Sequence, residues 1–115
     1  MNFSTYQQQA LITDDFDPGA SLEIMSPSFM EKLLGLIGES GEIAEKIKKI
    51  IRDQDGIMTD EQRQDMVKEL GDVLWYVNAL AIRLGSSLEE VARKNNEKLA
   101  SRNARGKIHG SGDNR

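Results

Sequence analysis

Two pairs of acidic residues are the first groups in this sequence that could do chemistry. Glu39 and Glu42 lie three positions apart, and Glu69 and Asp72 repeat that spacing. Side chains at this spacing are neighbours on an α-helix, about 5–6 Å apart at Cβ, and like charges there destabilise the helix. A bound cation would relieve the repulsion, and ligation by oxygen atoms alone suits Mg²⁺ or Mn²⁺. The spacing therefore predicts a divalent-metal site at Glu39, Glu42, Glu69 and Asp72.

The alternative is that these carboxylates are ordinary acidic positions on solvated helix faces. One pair alone carries little information, because glutamate is a common helix residue. Glu69, however, adjoins Leu70, and Asp72 adjoins Val73, so both border an apolar stripe of the helix. Positions beside such a stripe lie at the edge of a core rather than in bulk water. Two acidic edges brought together by antiparallel packing would form one cluster.

Two other kinds of metal site are excluded by the sequence. Di-iron carboxylate bundles use a Glu-x-x-His motif, whereas the one histidine of this chain is His109, near the C-terminus. A calcium-binding EF-hand loop beginning at Asp53 would need glutamate at its twelfth position, where this chain has Gln64.

A basic helix face is the second candidate feature. Lys94, Lys98, Arg102 and Arg105 recur at intervals of four, four and three residues, and Asn95 lies beside them. Lysine and arginine next to a metal site would bind the phosphate oxygens that the metal leaves free. The alternative is a solvated basic face favoured by the dipole at the helix C-terminus.

Four helices are predicted to position these residues, at 3–13, 27–52, 60–84 and 88–103. Apolar residues recur at intervals of three and four through each of the long segments, and no segment shows the strict alternation of a strand. Capping residues support the boundaries. The boundary signals are Ser26 before Pro27, Thr59 with Gln62, Gly85, and Ser87 with Glu90. We therefore predict an all-α fold, a bundle of about four helices.

Glycines inside the predicted helices indicate close packing. Gly35, Gly38 and Gly41 lie three residues apart, and Gly71 falls between Glu69 and Asp72. Each glycine inside a helix costs about 0.8–1.0 kcal/mol relative to alanine. Two explanations remain open, close approach of a backbone or ligand, and simple tight packing of helices.

Composition limits the class of protein. The chain has 115 residues, 38% hydrophobic and 30% charged, with a net charge of −4 and no cysteine. We expect one domain over residues 1–103, a Gly-rich basic tail over 104–115, and a small core that oligomerisation completes. The acidic balance argues against nucleic-acid binding, and we expect neither a membrane span nor a secretory signal, hence a cytoplasmic protein.

These motifs together resemble the MazG-like nucleotide pyrophosphohydrolases of the all-α NTP pyrophosphatase group. The family pattern is Glu-x-x-Glu, a spacer, then Glu-x-x-Asp. Here it reads Glu39-Ser40-Gly41-Glu42, 26 intervening residues, then Glu69-Leu70-Gly71-Asp72. The flanking residues 35–46 and 68–76 agree, as does Asn95-x-x-Lys98-Leu99-x-x-Arg102. The resemblance covers about residues 27–105.

The resemblance implies Mg²⁺-dependent hydrolysis of an NTP or dNTP, including non-standard or surplus nucleotides, to the monophosphate and pyrophosphate. It implies that the four carboxylates hold Mg²⁺, with Mn²⁺ as a substitute, and that Glu39 orients or deprotonates the attacking water. Asn95, Lys98 and Arg102 would bind the phosphates, and Tyr76 would contact the sugar or base. Members of the family form homodimers or homotetramers.

Several alternatives remain open at this stage. A non-catalytic helical oligomerisation module with a structural or vestigial metal site has the same carboxylates. Related substrates include dUTP, dCTP and a phosphoribosyl-ATP-like compound. The sequence names no base, although the first helix, with Tyr6, Gln7 and Gln8, is where base contacts would be sought. The tail either closes over the phosphates, using Arg115, or is disordered.

Overall fold

The computed structural model describes residues 1–18, 25–106 and 109–113. Within them the chain forms four α-helices and no strand, which confirms the all-α prediction. The helices are α1 (Phe3–Ala10), α2 (Pro27–Gln54), α3 (Asp60–Arg83) and α4 (Leu88–Ala104). None of these helices combines the length and the apolar character that crossing a bilayer requires.

The predicted capping residues begin the two long helices. Ser26 accepts a hydrogen bond from the backbone N–H of Phe29 at 3.2 Å, with Pro27 in the first turn of α2. At the start of α3, Thr59 accepts from the Gln62 N–H at 3.1 Å, and the Gln62 side chain accepts from the Thr59 N–H at 3.0 Å. These bonds satisfy N–H groups that have no partner inside the helix.

Two helix ends differ from the prediction by two residues or more, and the ends of α3 and α4 differ by one. α1 ends at Ala10 rather than near Thr13, because the N–H groups of Ile12 and Thr13 bond carbonyls three residues back, which tightens the last turn. α2 runs two residues past Arg52 and stops at Asp55, which adopts a left-handed conformation with φ of 52°.

α2 and α3 form an antiparallel hairpin, the largest contact between helices in the described chain. Near its turn, the side chains of Gln54 and Gln62 exchange hydrogen bonds of 2.9 and 2.7 Å. At the opposite end, Arg83 donates to Ser28 at 3.1 Å. This register places the middle of α2, which carries the first acidic pair, against the middle of α3, which carries the second.

The core is small, and it is concentrated at one end of the hairpin. The buried positions of α3 all fall within its second half, Asn78–Arg83. α1 and α4 pack on α3 and on each other, and α4 makes no contact with α2 in the described chain. Ile37 of α2 and Leu70 of α3 are 59% and 55% exposed, because no other helix of the described chain covers them. That oligomerisation completes the core stays a prediction.

Gly35 is the glycine for which the structure shows a packing role. A Cβ atom at Gly35 would overlap the ring of Tyr76, so this position admits the aromatic side chain only because it has none. Tight helix packing thus explains Gly35. At Gly38, Gly41 and Gly71, a Cβ would meet no atom within 4 Å.

Candidate metal centre and its surroundings

Three of the four predicted metal ligands gather where α2 and α3 cross. Glu39 from α2 and Glu69 and Asp72 from α3 each offer a carboxylate oxygen, and these oxygens lie within 4.8 Å of one another. Glu42 is exposed and interacts with the Glu39 carboxyl instead of joining this group. The antiparallel packing expected from the sequence therefore brings Glu39 next to Glu69 and Asp72, which follow it by 30 and 33 positions in the chain.

The Glu39 carboxylate lies among other negative charges and has no positive partner in the described chain. Burial raises the pKa of Glu39, and the nearby carboxylates of Glu42 and Asp72 raise it further. Its Oε2 atom is buried and finds no hydrogen-bond partner in the described chain. A buried polar atom without a partner is costly, and a cation removes both this cost and the repulsion. The donor set of carboxylate oxygens fits Mg²⁺ or Mn²⁺.

Lys46 supplies part of the missing charge. Its ammonium group forms an ion pair with Glu69, and this hydrogen bond raises the pKa of Lys46. The Lys46 side chain is 45% exposed, so it reaches Glu69 from the solvent side of the cluster. In the part of the chain that the structure describes, Glu39 and Asp72 form no such ion pair.

A cavity of about 290 Å³ opens beside the carboxylates. Glu39 and Asp72 line one part of it, and Thr13, Trp75 and Tyr76 line the rest. Pockets for small molecules usually span about 300–1,000 Å³, so this cavity is at the small end of that range. Tyr76 therefore lies next to the cluster, as its position one helical turn past Asp72 predicts.

The first helix reaches the same region through Tyr6. Burial and the negative charge of Asp72 raise the pKa of the Tyr6 phenol, which places that group within electrostatic reach of the cluster. The side chain of Gln7 has a structural role, since it accepts a hydrogen bond from the Leu88 N–H at 3.4 Å. Gln8 is exposed.

The basic residues of α4 lie elsewhere in the single chain. Asn95 and Lys98 line a second cavity, of about 510 Å³, together with Lys94 and apolar side chains of α1, α3 and α4. Lys94 forms an ion pair with Glu90 at 2.8 Å. Because α2 and α4 make no contact in the described chain, the structure does not bring this basic face to the carboxylate cluster.

The C-terminal segment occupies part of that basic face. Arg102 is 4% exposed and donates hydrogen bonds to the carbonyls of Gly112, at 3.2 Å, and Asp113, at 2.8 Å. Lys98 forms an ion pair with the Asp113 carboxylate at 3.2 Å, which lowers the pKa of Asp113. Lys107 and Arg115, two basic residues of the predicted tail, lie outside the described residues.

A buried ionic network near the cluster is a feature that the sequence reasoning missed. Arg83 donates to both carboxylate oxygens of Asp14, at 2.7 and 2.8 Å, and to Asp15 at 2.9 Å. Lys32, which is 6% exposed, forms an ion pair with Asp15 at 3.1 Å. Burial opposes the charge of Lys32, but the hydrogen bonds that Lys32 donates to Asp15 and Glu31 outweigh the effect of burial and raise its pKa.

Two signals in the sequence could have revealed this network. The first is the acidic run that Asp14 and Asp15 begin directly after the first predicted helix. Lys32 adjoins Leu33 on the apolar side of its helix, and Arg83 adjoins Ile82 in the same way. A cation beside an apolar stripe, with an unassigned acidic run elsewhere, indicates a buried ion pair.

The amino-acid sequence of this chain is similar to those of known proteins. The model of the MazG nucleotide pyrophosphohydrolase domain matches residues 28–106. The gene 37 protein of Mycobacterium phage L5 is 57% identical over 82 residues, which cover 71% of this chain and 72% of that protein. The uncharacterized protein YvdC of Bacillus subtilis (strain 168) is 36% identical over 72 residues, 58% of this chain and 68% of YvdC. No solved structure matches the chain.

The family match spans both acidic pairs and the basic face of α4, the motifs on which the resemblance was based. It extends over more than half of the chain, and the helical architecture agrees with it. The protein therefore belongs to the MazG nucleotide pyrophosphohydrolase family.

Proposed function

We propose that this protein hydrolyses nucleoside triphosphates, ribo- or deoxyribo- and including non-standard ones, to the monophosphate and pyrophosphate. The observation that carries the proposal is the convergence of Glu39, Glu69 and Asp72 within 4.8 Å. Membership of the family supports the class of reaction. The buried, unpartnered Oε2 of Glu39 supports a cation in the cluster, because no protein donor in the described chain satisfies it.

The proposed metal is Mg²⁺, with Mn²⁺ as a substitute, held by Glu39, Glu69 and Asp72 with Glu42 beside them. A divalent ion in this place neutralises phosphate charge and increases the acidity of water. Glu39 is our candidate for the residue that holds the attacking water and accepts its proton. Its position supports this role, because its carboxylate lies within 4.8 Å of the Glu69 and Asp72 oxygens that would hold the metal.

The proposed phosphate-binding residues, Asn95, Lys98 and Arg102, belong to α4. Since α4 makes no contact with α2 within one described chain, we propose that a second subunit brings such a face to the cluster. Exposed apolar residues on α2 and α3 support a homodimer or homotetramer, because a lone chain would leave them in water. They are Leu34, Ile37, Val67 and Leu70, which are 55–61% exposed.

A non-catalytic oligomerisation module with a vestigial metal site is the second candidate. The ion pair between Lys46 and Glu69 favours it, because an ammonium group already occupies one side of the cluster. Under this alternative the carboxylates would be held by Lys46 alone, and added Mg²⁺ would not change the stability of the protein.

A nucleotide panel with one matched pair of variants tests the proposal. Purified protein is assayed with Mg²⁺ for pyrophosphate release from ribo-, deoxyribo- and modified nucleoside triphosphates. Glu69→Gln combined with Asp72→Asn should abolish release while leaving the apo-protein folded, since two repelling charges are removed. The control, Glu45→Gln with Asp65→Asn, makes the same chemical changes at exposed positions, one on α2 and one on α3, and should keep activity.

Thermal unfolding gives a readout that does not depend on turnover. A ligand present at 100 times its Kd stabilises the folded state by about 2.7 kcal/mol, so Mg²⁺ should raise the melting temperature of the wild type. The Glu69→Gln, Asp72→Asn protein should show no such rise, and the control should. Absence of pyrophosphate release from every nucleotide would refute the proposed function. A wild-type melting temperature unaffected by Mg²⁺ would refute the metal site.

A further inference from the structure

Thr13, three residues after the end of α1, forms one wall of the carboxylate cavity, which it lines together with Glu39, Asp72, Trp75 and Tyr76. The family match begins only at residue 28, so this wall is contributed by residues outside the matched domain. The part of the cavity that Thr13 lines therefore lies outside the region that the family model matches.

Two buried cations hold the wall in place. Arg83 and Asp14 form an ion pair whose side chains are 6% and 1% exposed, and Lys32 binds Asp15. Arg83 also lies over the ring of Phe16, with its guanidinium carbon 5.7 Å from the ring centre. Three consecutive residues after Thr13 are thus anchored to α2 and α3, which leaves Thr13 little freedom to move away from the cavity.

Thr13 and Trp75 are joined directly. The indole Nε1–H of Trp75 donates to Thr13 Oγ1 at 2.9 Å, and the Thr13 hydroxyl donates to the Ala10 carbonyl at 3.1 Å. The Lys32 ammonium lies 5.3 Å from the centre of the indole ring, and the Tyr76 ring meets it edge-on at 5.0 Å. These contacts fix the orientation of the indole.

The result is an aromatic surface whose polar groups are already used. The indole N–H has its acceptor, and the Thr13 hydroxyl is engaged both as a donor and as an acceptor. The indole N–H is therefore not free to donate to the edge of a ligand, and the Thr13 hydroxyl has only one acceptor lone pair left for it. Trp75 lies three positions after Asp72, less than one helical turn of about 5.4 Å along α3. A flat ring attached to a group at the carboxylates would meet this surface.

We propose that Trp75 is the surface against which the nucleobase packs, and that Thr13 is the positioning residue that holds the indole for it. The proposal rests on the proposed function, because it takes a nucleotide as the ligand of the carboxylate cluster. It adds that Trp75 contacts the flat face of the base and not its hydrogen-bonding edge, so this wall discriminates only weakly between bases.

Fluorescence of Trp75 tests the proposal without turnover, since the chain contains a single tryptophan. The full-length protein is titrated in Mg²⁺ with α,β-methylene analogues of purine and pyrimidine nucleoside triphosphates, which cannot be cleaved at that bond. Both analogues should give a saturable change in emission. Inorganic tripolyphosphate, which has the charge but no base, should give none. An equal response to tripolyphosphate would overturn the assignment of the base to Trp75.

Substitutions at Thr13 test its positioning role. Thr13→Val removes the hydroxyl at similar volume, and Thr13→Ser keeps it. We expect Thr13→Val to raise KM roughly two- to tenfold with kcat little changed, the effect of losing one hydrogen bond. It should also reduce the fluorescence response, and Thr13→Ser should restore both. A purely structural role would lower the melting temperature of Thr13→Val without changing KM, and that result would refute the positioning role.

The outcomes separate this inference from the proposed function. Cleavage of nucleotides with an unresponsive Trp75 would overturn the inference and leave the proposed function intact. If no nucleotide is cleaved, the proposed function fails, while a base-dependent fluorescence response would still support packing against Trp75.

Discussion

Removing the Asp14 carboxylate is the most direct test of how the N-terminal segment is held against the site. Asp14 is 1% exposed at its side chain and accepts two hydrogen bonds from Arg83, at 2.7 and 2.8 Å. Asp14→Ala would leave the Arg83 guanidinium buried with weaker compensation. Asp15 still contacts Arg83 at 2.9 Å, but its side chain is 66% exposed.

The expected cost follows from these contacts. Removing one partner of a buried ion pair usually costs about 3–5 kcal/mol. Because Asp15 and Ser28 still accept hydrogen bonds from Arg83, we expect a loss at the lower end of this range, about 3 kcal/mol. That is a large share of the 5–15 kcal/mol that typically stabilises a domain. With a urea m-value of about 1–3 kcal/mol/M, the unfolding midpoint should fall by about 1–3 M.

Urea unfolding followed by circular dichroism at fixed protein concentration would measure this loss. The matched control is Asp60→Ala. Asp60 forms an ion pair with Arg63 at 2.9 Å, both residues lie on α3, and the Asp60 side chain is 94% exposed. Its midpoint should barely change, because exposed ion pairs contribute little. Asp14→Leu combined with Arg83→Met should recover much of the stability. Equal, small effects of Asp14→Ala and Asp60→Ala would refute the reasoning that Asp14 and Arg83 hold this segment.

Two further predictions concern the packing and the tail. Gly35→Ala should destabilise the protein by about 1–3 kcal/mol, since the added methyl group would displace the Tyr76 ring. Gly38→Ala, with open space beside it, should stabilise the protein by about 0.8–1.0 kcal/mol. Urea unfolding of both variants measures these changes, and equal effects would contradict the packing of Tyr76 on Gly35. Asp113→Asn should lower KM for nucleotide by up to about fivefold, because it frees Lys98 to bind phosphate. An unchanged KM in the pyrophosphate assay would show that the tail does not compete with the nucleotide for Lys98.

Much of the fold could be predicted because its signals are local. The cap of α3 depends on Thr59 and Gln62, three residues apart, and helical apolar periodicity likewise needs no knowledge of distant residues. The convergence of the acidic pairs followed from one further assumption, that adjacent long helices pack antiparallel. The exposure of Leu70 could not be predicted in the same way. Its burial depends on which helix covers the first half of α3, and periodicity does not specify that.

The amino-acid sequence by itself determined the four helices, the acidic residues that lie where α2 and α3 cross, and the family. Helix signals and motif spacing are properties of neighbouring residues, so they can be read without a fold. Only the tertiary structure decided that Glu42 lies outside the group of three carboxylates, and that Asp14 and Thr13 reach Arg83 and Trp75. Those contacts join residues more than 60 positions apart. Their partners are chosen by how the helices pack and by the need to pair buried charges, which no local pattern encodes.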